Sequence, residues 1–219
     1  MFTGLIQQVC HLEEVSIQAQ TGRLMVQANK IGPLDIGESI AINGVCLTLV
    51  EQKGQQLTFD ILRETLERSS LGGKLSGARL NLERAMRMGD AIGGHLVSGH
   101  VDGVGTVLQV EMASRDQVLL IAAPELISEI IPKGSVAIDG ISLTVVDVDS
   151  RAGTFTVHII PHTWNETALS DLSAGKPVNL ESDMIGKYVR SSLKADSDST
   201  PTVTWDKLRN AGFGSLPSQ

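Results

Sequence analysis

The sequence predicts an all-β protein made of tandem duplicated small antiparallel β-barrels followed by a C-terminal α-helix. Three observations predict it. The chain repeats itself once, at a period slightly under 100 residues. Each copy places an Asn-Gly or Asp-Gly pair between apolar alternating runs, a strong two-residue hairpin signal. Glycine is abundant at 22 residues while aromatic side chains make up only 3%, which suits short strands joined by tight turns better than a helical bundle.

The repeat is clearest where Ser39-Ile-Ala-Ile-Asn-Gly-Val-Cys-Leu-Thr-Leu-Val50 returns as Ser135-Val-Ala-Ile-Asp-Gly-Ile-Ser-Leu-Thr-Val-Val146. Downstream, Gly-Ala-Arg-Leu-Asn-Leu-Glu83 matches Gly-Lys-Pro-Val-Asn-Leu-Glu181, and upstream Thr3-Gly4 falls against Ser98-Gly99. This predicts one domain over 1–94, with a boundary near Gly93-Gly94, a second over 95–190, and a tail over 191–219. A solenoid needs about three or more shorter repeats and is excluded. With Asn43-Gly44 as the turn, Ile40, Ile42, Val45 and Leu47 share one face, and Ser39, Ala41, Cys46 and Thr48 share the other. The second copy sorts alike, with Val136, Ile138, Ile141 and Leu143 opposite Ser135, Ala137, Ser142 and Thr144. Closing each copy into a barrel removes the exposed edges that short strands would leave.

Helical spacing over Pro124–Ile131 predicts a short helix between strands. After Glu181, Met184–Leu193 has an apolar face, Ala195–Thr202 reads as a linker, and Thr204 as N-cap with Gly212 as stop frames a second short helix. Trp205, Leu208 and Phe213 are too small an apolar set to fold alone, so the tail is expected to dock on a barrel or a partner chain.

Composition narrows the function. Hydrophobic residues at 42% and charged residues at 20% fit a folded globular chain, and the net charge of −7 argues against a general nucleic-acid or anionic-membrane surface. The start, Met-Phe-Thr-Gly-Leu-Ile, has no basic segment or apolar core of a secretory signal, and no uncharged run approaches the roughly 18 residues of a membrane span. Cys10 and Cys46 are too few for a disulfide scaffold, so free thiols and the cytoplasm are expected.

The face carrying Ser39, Cys46 and Thr48 reads as a ligand surface for a planar polar molecule. Cysteine and alanine are poor choices for a merely solvated face, and the same small-polar set recurs in the second copy. His95 and His100 would point to opposite faces of a regular strand, and no Cys or carboxylate cluster completes a tetrahedral set, so no metal is expected. His95 reads as a structural histidine. His100 falls where the first copy has Leu5, and its near-neutral imidazole suits proton transfer. Gly103-Val-Gly105 lacks the third glycine and the helix of a dinucleotide fingerprint. Lys133 stands where the first copy has Gly37, and Asp183 where it has Ala85. With Cys46 and His100, these mark two copies that differ in chemistry on one scaffold.

These residues resemble the riboflavin synthase family of the α-chain type, through Met1-Phe-Thr-Gly-Leu-Ile, Asn43-Gly-Val-Cys-Leu-Thr, Gly93-Gly-His-Leu-Val-Ser-Gly-His-Val-Asp-Gly, Asp139-Gly-Ile-Ser-Leu-Thr and Val178-Asn-Leu-Glu-Ser-Asp. The resemblance covers residues 1 to about 190. It implies a dismutase that passes four carbons between two 6,7-dimethyl-8-ribityllumazine molecules, giving riboflavin and 5-amino-6-ribitylaminouracil without an external cofactor. It also implies a homotrimer with the active site between the N-terminal barrel of one subunit and the C-terminal barrel of another, and lumazine synthase is a candidate partner. On the matching positions, Cys46, Leu47 and Thr48, with Ser39 nearby, line the N-terminal pocket, and Cys46 assists as nucleophile or proton carrier. Gly4, Leu5 and Ile6 are assigned to that pocket, together with Asp60, Ile61, Leu62, Arg63, Glu64 and Thr65. His100, flanked by Gly99 and Val101, is the proton-transfer group. Lys133, Ser142, Leu143 and Thr144 bind in the C-terminal pocket, where Ile159, Ile160, Pro161, His162 and Thr163 mirror Asp60 to Thr65, and Asp183 orients or accepts protons. A non-catalytic lumazine- or flavin-binding relative is the competing reading, against which the retained Cys46 and His95–His100 motif argue. A purely structural two-barrel protein would not explain the duplicated small-polar faces.

Overall fold

A computed structural model describes residues 1–197 and 205–212. The first barrel is closed by β1 (Gln8–Gln18), β2 (Thr21–Gln27), β3 (Ser39–Ile42), β4 (Val45–Lys53), β5 (Gln56–Leu62) and β6 (Arg79–Arg84), in the order β1-β2-β5-β4-β3-β6. The second uses β7 (Gly103–Ala113), β8 (Asp116–Ala122), β9 (Ser135–Ile138), β10 (Ile141–Asp149), β11 (Thr154–Ile159) and β12 (Pro177–Ser182), in the same cyclic order and again antiparallel throughout. One-turn helices follow the fifth strand of each barrel: α1 (Arg63–Glu67) and α2 (Pro161–Glu166). The two barrels lie in one compact unit, Met1–Met184, and the rest of the chain forms another.

Alternation along the strands fills each barrel. Leu24, Ile40, Ile42, Leu49, Phe59, Leu80 and Leu82 are fully buried in the first, and Val107, Ile121, Ile138, Phe155 and Val157 are buried in the second. At equivalent inward positions of β5 and β11, Leu57 and Phe59 correspond to Phe155 and Val157, so each interior receives one phenyl ring, displaced by one pleat between the two barrels. Each such side chain contributes about 2 kcal/mol of apolar burial. Cys10 belongs to this interior, and burial pushes its thiol up to about 12, which leaves it inert.

The hairpins form in the expected register. Ile42 faces Val45, Ala41 faces Cys46, Ile40 faces Leu47 and Ser39 faces Thr48, and Ile138–Ile141 through Ser135–Thr144 repeat the pattern. Asn43 (φ 46°) and Gly44 (φ 77°), like Asp139 (φ 45°) and Gly140 (φ 81°), take the left-handed conformations that such a turn requires. The two turns then pack back to back across an approximate two-fold axis. A Cβ on Gly44 would lie 2.8 Å from the Gly140 nitrogen, so only glycine fits.

Asparagines on β6 and β12 lock the turns together. Asn81 Nδ2 donates to the Asp139 carbonyl at 3.0 Å, and Asn179 Nδ2 to the Asn43 carbonyl at 2.8 Å. In return Asn43 Oδ1 accepts from Asn81 N at 2.7 Å, and Asp139 Oδ1 from Asn179 N at 2.8 Å. Ala41, Ala137, Phe2 and Val97 close the same axis with a small buried apolar cluster. The outer face of each hairpin is therefore partly an interface.

The helix expected over Pro124–Ile131 does not form; the segment makes only a single 3₁₀ turn, Ile127–Glu129. Pro132 disfavours helical backbone at Ile131, and Ala123 N is tied to the Gly153 carbonyl at 2.8 Å, which leaves too few residues for a helix. In the other unit, α3 (Met184–Ser197) takes in the start of the expected linker, and α4 (Trp205–Asn210) ends where Gly212 turns left-handed at φ 89°. Ile185, Tyr188, Val189 and Leu193 leave an exposed apolar stripe on α3. The expected N-cap Thr204, the remainder of the linker and Phe213 lie outside the described residues. Among the described residues no helix is long and apolar enough to cross a membrane.

Two outcomes follow from the axis. Gly44→Ala combines an unfavourable φ with overpacking and should cost about 2–4 kcal/mol of stability by urea denaturation. Burial raises the Asp139 carboxyl to about 6 from an ordinary 3.8, so the folded state holds this proton more tightly than the unfolded chain. Stability from this group is present below pH 4, falls as pH rises to about 6, and stays lost above it. Asp139→Asn, which adopts the residue already present at position 43, should flatten that slope and raise stability at pH 8 by about 1–3 kcal/mol, read from Tm across pH.

Candidate functional site

The segment preceding each barrel crosses to the opposite one. Residues 1–6 and 97–101 first pair with each other, Phe2 N with the Val97 carbonyl at 2.7 Å and Val97 N with the Phe2 carbonyl at 3.0 Å. The Gly4 carbonyl then accepts from Ser142 N on β10 at 2.9 Å, and the Gly99 carbonyl accepts from Cys46 N on β4 at 2.8 Å. Ile6 packs against the second core and Val101 against the first. Gly99 (φ 83°) must be glycine for its conformation and because a Cβ would meet Cys46 Cβ at 2.6 Å.

This crossing corrects the expected sharing of residues. Gly4, Leu5 and Ile6 belong with Ser142 at the second barrel, and Gly99, His100 and Val101 belong with Cys46 at the first. The resemblance assigns Gly4 to Ile6 to the N-terminal pocket, whereas the backbone hydrogen bonds carry that arm to the second barrel and the Gly99 arm to the first. The result is a hollow of about 210 Å³ on the first barrel, lined by Val45, Cys46, Glu64, Thr65, Arg68, Ser69, Gly99, His100 and Val101. Arg68 Nε lies 2.9 Å from Glu64 Oε1 at its rim, both side chains exposed. At the positions that correspond in the repeat, Ser142 stands for Cys46, Leu5 for His100, His162 for Glu64, Thr163 for Thr65 and Glu166 for Arg68.

Beside the first hollow, Ser39, Thr48 and Asp60 form one row across β3, β4 and β5. Asp60 continues the row to Arg23, 3.7 Å away, in a larger open groove of about 690 Å³ that also includes Leu62. That groove carries neither a thiol nor an imidazole, whereas the smaller hollow carries both, in Cys46 and His100. Ser135 and Thr144 repeat the row on the second barrel.

Other expected contacts face elsewhere. Leu47, Ile61, Leu143 and Ile159 point into the barrel cores, so only their backbones face outward. Arg63 turns to the β1–β2 loop, its Nε 2.7 Å from the Ala19 carbonyl. Lys133 is exposed and occupies the left-handed conformation (φ 64°) that Gly37 takes in the first copy (φ 93°). Ile160 and Pro161 start α2, with Ile160 exposed.

His95 does more than satisfy a core. Its Nδ1 lies 2.7 Å from Ser142 Oγ, and its buried Nε2 has no hydrogen-bond partner. Burial holds the imidazole below its ordinary pKa, against the opposing pull of Asp183 and Glu181. The segment Gly94-His95 thus covers Ser142, and a Cβ on Gly94 would lie 2.8 Å from Ser142 Cβ. Among the described residues no three His, Cys, Asp or Glu side chains gather as a metal would require.

The residues missed by sequence reasoning are Arg68 and two buried glutamates. Thr3 N and Oγ1 donate to Glu83 Oε1, both at 2.7 Å, and Gly4 N donates to Oε2 at 3.0 Å. Burial raises the Glu83 carboxyl, and these donors pull it back down. Glu181 holds Ser98-Gly99 in the same way. The signal was present: both glutamates end the matched Asn-Leu-Glu segments.

Comparison with known proteins follows the same division. The lumazine binding domain model matches residues 3–85 and again 98–183. Riboflavin synthase of Actinobacillus pleuropneumoniae is 42% identical over 217 residues, covering 97% of this chain and 100% of the relative. Riboflavin synthase of Bacillus subtilis (strain 168) is 38% identical with the same coverage. Among solved structures, LumP complexed with 6,7-dimethyl-8-(1'-D-ribityl) lumazine superposes with a TM-score of 0.72 at 23% identity, covering 83% of this chain and 99% of that one. LumP complexed with riboflavin gives 0.74 at the same identity and coverage. These structures share the tandem-barrel fold. With two matched lumazine binding domains and full-length relatives at this identity, the chain belongs to the riboflavin synthase family.

Proposed function

We propose that this chain catalyses the dismutation of two 6,7-dimethyl-8-ribityllumazine molecules into riboflavin and 5-amino-6-ribitylaminouracil by transfer of a four-carbon unit. The observation that carries it is the pair of equivalent surfaces, each assembled from both halves of the chain, with Cys46 and His100 meeting at one of them. Two like substrates need two like cradles, and holding them together supplies much of the rate. The reaction removes a proton from the C7 methyl of one lumazine and needs acid–base help as the linked intermediate forms and breaks. The exposed His100 imidazole is suited to that proton, and Cys46 stands beside it to assist as nucleophile or proton carrier. Ser39, Thr48 and Asp60 offer hydroxyls and a carboxylate to a polyhydroxyl chain. At the second barrel, Ser142 and Thr144 bind the partner substrate, with Lys133 at the edge and Asp183 acting beside His95. No cofactor is required.

The surfaces lie on the outside of their barrels with apolar rims: Leu5 is 49%, Leu62 54% and Ile160 52% exposed. A homotrimer in which the first barrel of one subunit faces the second barrel of another would cover these rims and bring the two substrates together, with the terminal helices joining the subunits. A cytoplasmic location and association with lumazine synthase belong to the same reading.

Mixing the pure protein with the lumazine should produce flavin catalytically, followed by absorbance and product identification; a merely stoichiometric spectral change, or none, would overturn the reading. Cys46→Ala and His100→Ala should each lower kcat by about 100-fold with Tm nearly unchanged, and wild-type rates in folded variants would remove those roles. Sedimentation should give a trimer that dissociates when residues 185–219 are removed, and a fully active monomer would contradict the shared site.

A further inference from the structure

The arm that carries His100 is clamped from two sides. On the second barrel, Glu181 Oε1 accepts from Ser98 N at 2.6 Å and from Ser98 Oγ at 2.8 Å, and Oε2 accepts from Gly99 N at 3.0 Å. The Ser98 hydroxyl, its own hydrogen committed to the carboxylate, accepts from His100 N at 3.1 Å. On the first barrel, the Gly99 carbonyl is held by Cys46 N at 2.8 Å. The His100 side chain is exposed, so its place on the hollow depends on the backbone that carries it, and that backbone is what the clamp holds. The route from Glu181 to His100 thus runs through one hydroxyl, and the route from His100 to Cys46 through one peptide.

Three donors converge on Glu181, which is only 3% exposed. A carboxyl group accepts all three, whereas an amide would turn its NH₂ toward one of them. We propose that Glu181 is a positioning residue for His100, holding the backbone from which the imidazole reaches the hollow it shares with Cys46. Its counterpart Glu83 makes the same three hydrogen bonds, and Thr3 Oγ1 receives Leu5 N at 3.3 Å in the same relay. Glu83 therefore positions only an aliphatic side chain, which makes it an internal control for the structural share of the clamp.

The proposal rests on the reading that His100 acts on substrate, and a double-mutant cycle separates the two. Steady-state kcat and KM are measured for Glu181→Gln, Ser98→Ala, Ser98→Thr and Glu83→Gln, each in the wild-type and the His100→Ala background. Glu181→Gln should lower kcat by about 20-fold with KM changed less than about threefold, and should cost less than about threefold once His100 is already absent. Ser98→Ala should behave alike, whereas Ser98→Thr, whose hydroxyl matches that of Thr3, should restore most of the turnover. Glu83→Gln should have the same effect in both backgrounds. An equal loss from Glu181→Gln with and without His100, or a loss carried by KM, overturns the proposal. Should Glu181→Gln fail to fold, Ser98→Ala carries the same cycle, and equal losses there overturn it too. Wild-type turnover in His100→Ala would instead sink the reading of the site, and the proposal with it.

Discussion

The close approach of two glycines, Gly44 and Gly140, is the constraint on which the remaining geometry depends. Two tight turns can meet backbone to backbone only if neither carries a side chain at that position, and the contact brings each turn carbonyl within reach of the other barrel's asparagine. The axis so defined orients β4 and β10, which in turn present Cys46 and Ser142. It also sets the gap through which both arms thread. Buried polar groups at such a junction cost their desolvation where they go unpaired, so the four hydrogen bonds made by Asn43, Asn81, Asp139 and Asn179 favour this orientation of the turns.

On this nearly symmetric frame the chemistry is asymmetric. Cys46 becomes Ser142, His100 becomes Leu5, Glu64 becomes His162 and Arg68 becomes Glu166, while the backbone that presents them is preserved. One surface gathers an ionisable imidazole and a thiol in an open hollow. The other gathers a hydroxyl capped by the buried His95 imidazole, under cover of Gly94. On the proposed reading, a pair of identical substrates would meet two different environments, as a reaction that treats one as donor and the other as acceptor requires. Lys133 belongs to this divergence as well, since a side chain in the left-handed region where the first copy uses Gly37 costs about 1 kcal/mol.

Much of this was legible in the residues. Asn43-Gly44 and Asp139-Gly140 dictate both hairpin registers because few pairs tolerate two positive φ values, and alternation then assigns the faces. The hairpin face singled out Cys46 and the repeat singled out His100, and the fold brings the two to one hollow. What local pattern could not convey was which barrel each arm would join: Thr3-Gly4 and Ser98-Gly99 look alike, and the choice is made by long-range backbone pairing with Ser142 and Cys46. Helices α1 and α2 escaped notice because five or six residues carry no measurable period. The helical spacing of Pro124–Ile131 misled because proline at 132 and a tether at Ala123 outweigh it. Glu83 and Glu181 were visible as matched residues, yet a carboxylate at a strand end reads as a surface charge until its donors are seen.

The crossed arms also govern when competence arises during synthesis. All six strands of the first barrel have been made by residue 84, yet its hollow lacks a wall until residues 99–101 emerge, and Gly4 must wait for Ser142. Domains generally fold in the order they leave the ribosome, but here the earlier one is finished by the later. A nascent or truncated half-chain therefore holds all the strands of one barrel but an unfinished hollow, and both surfaces are completed only by a chain that has reached its second half.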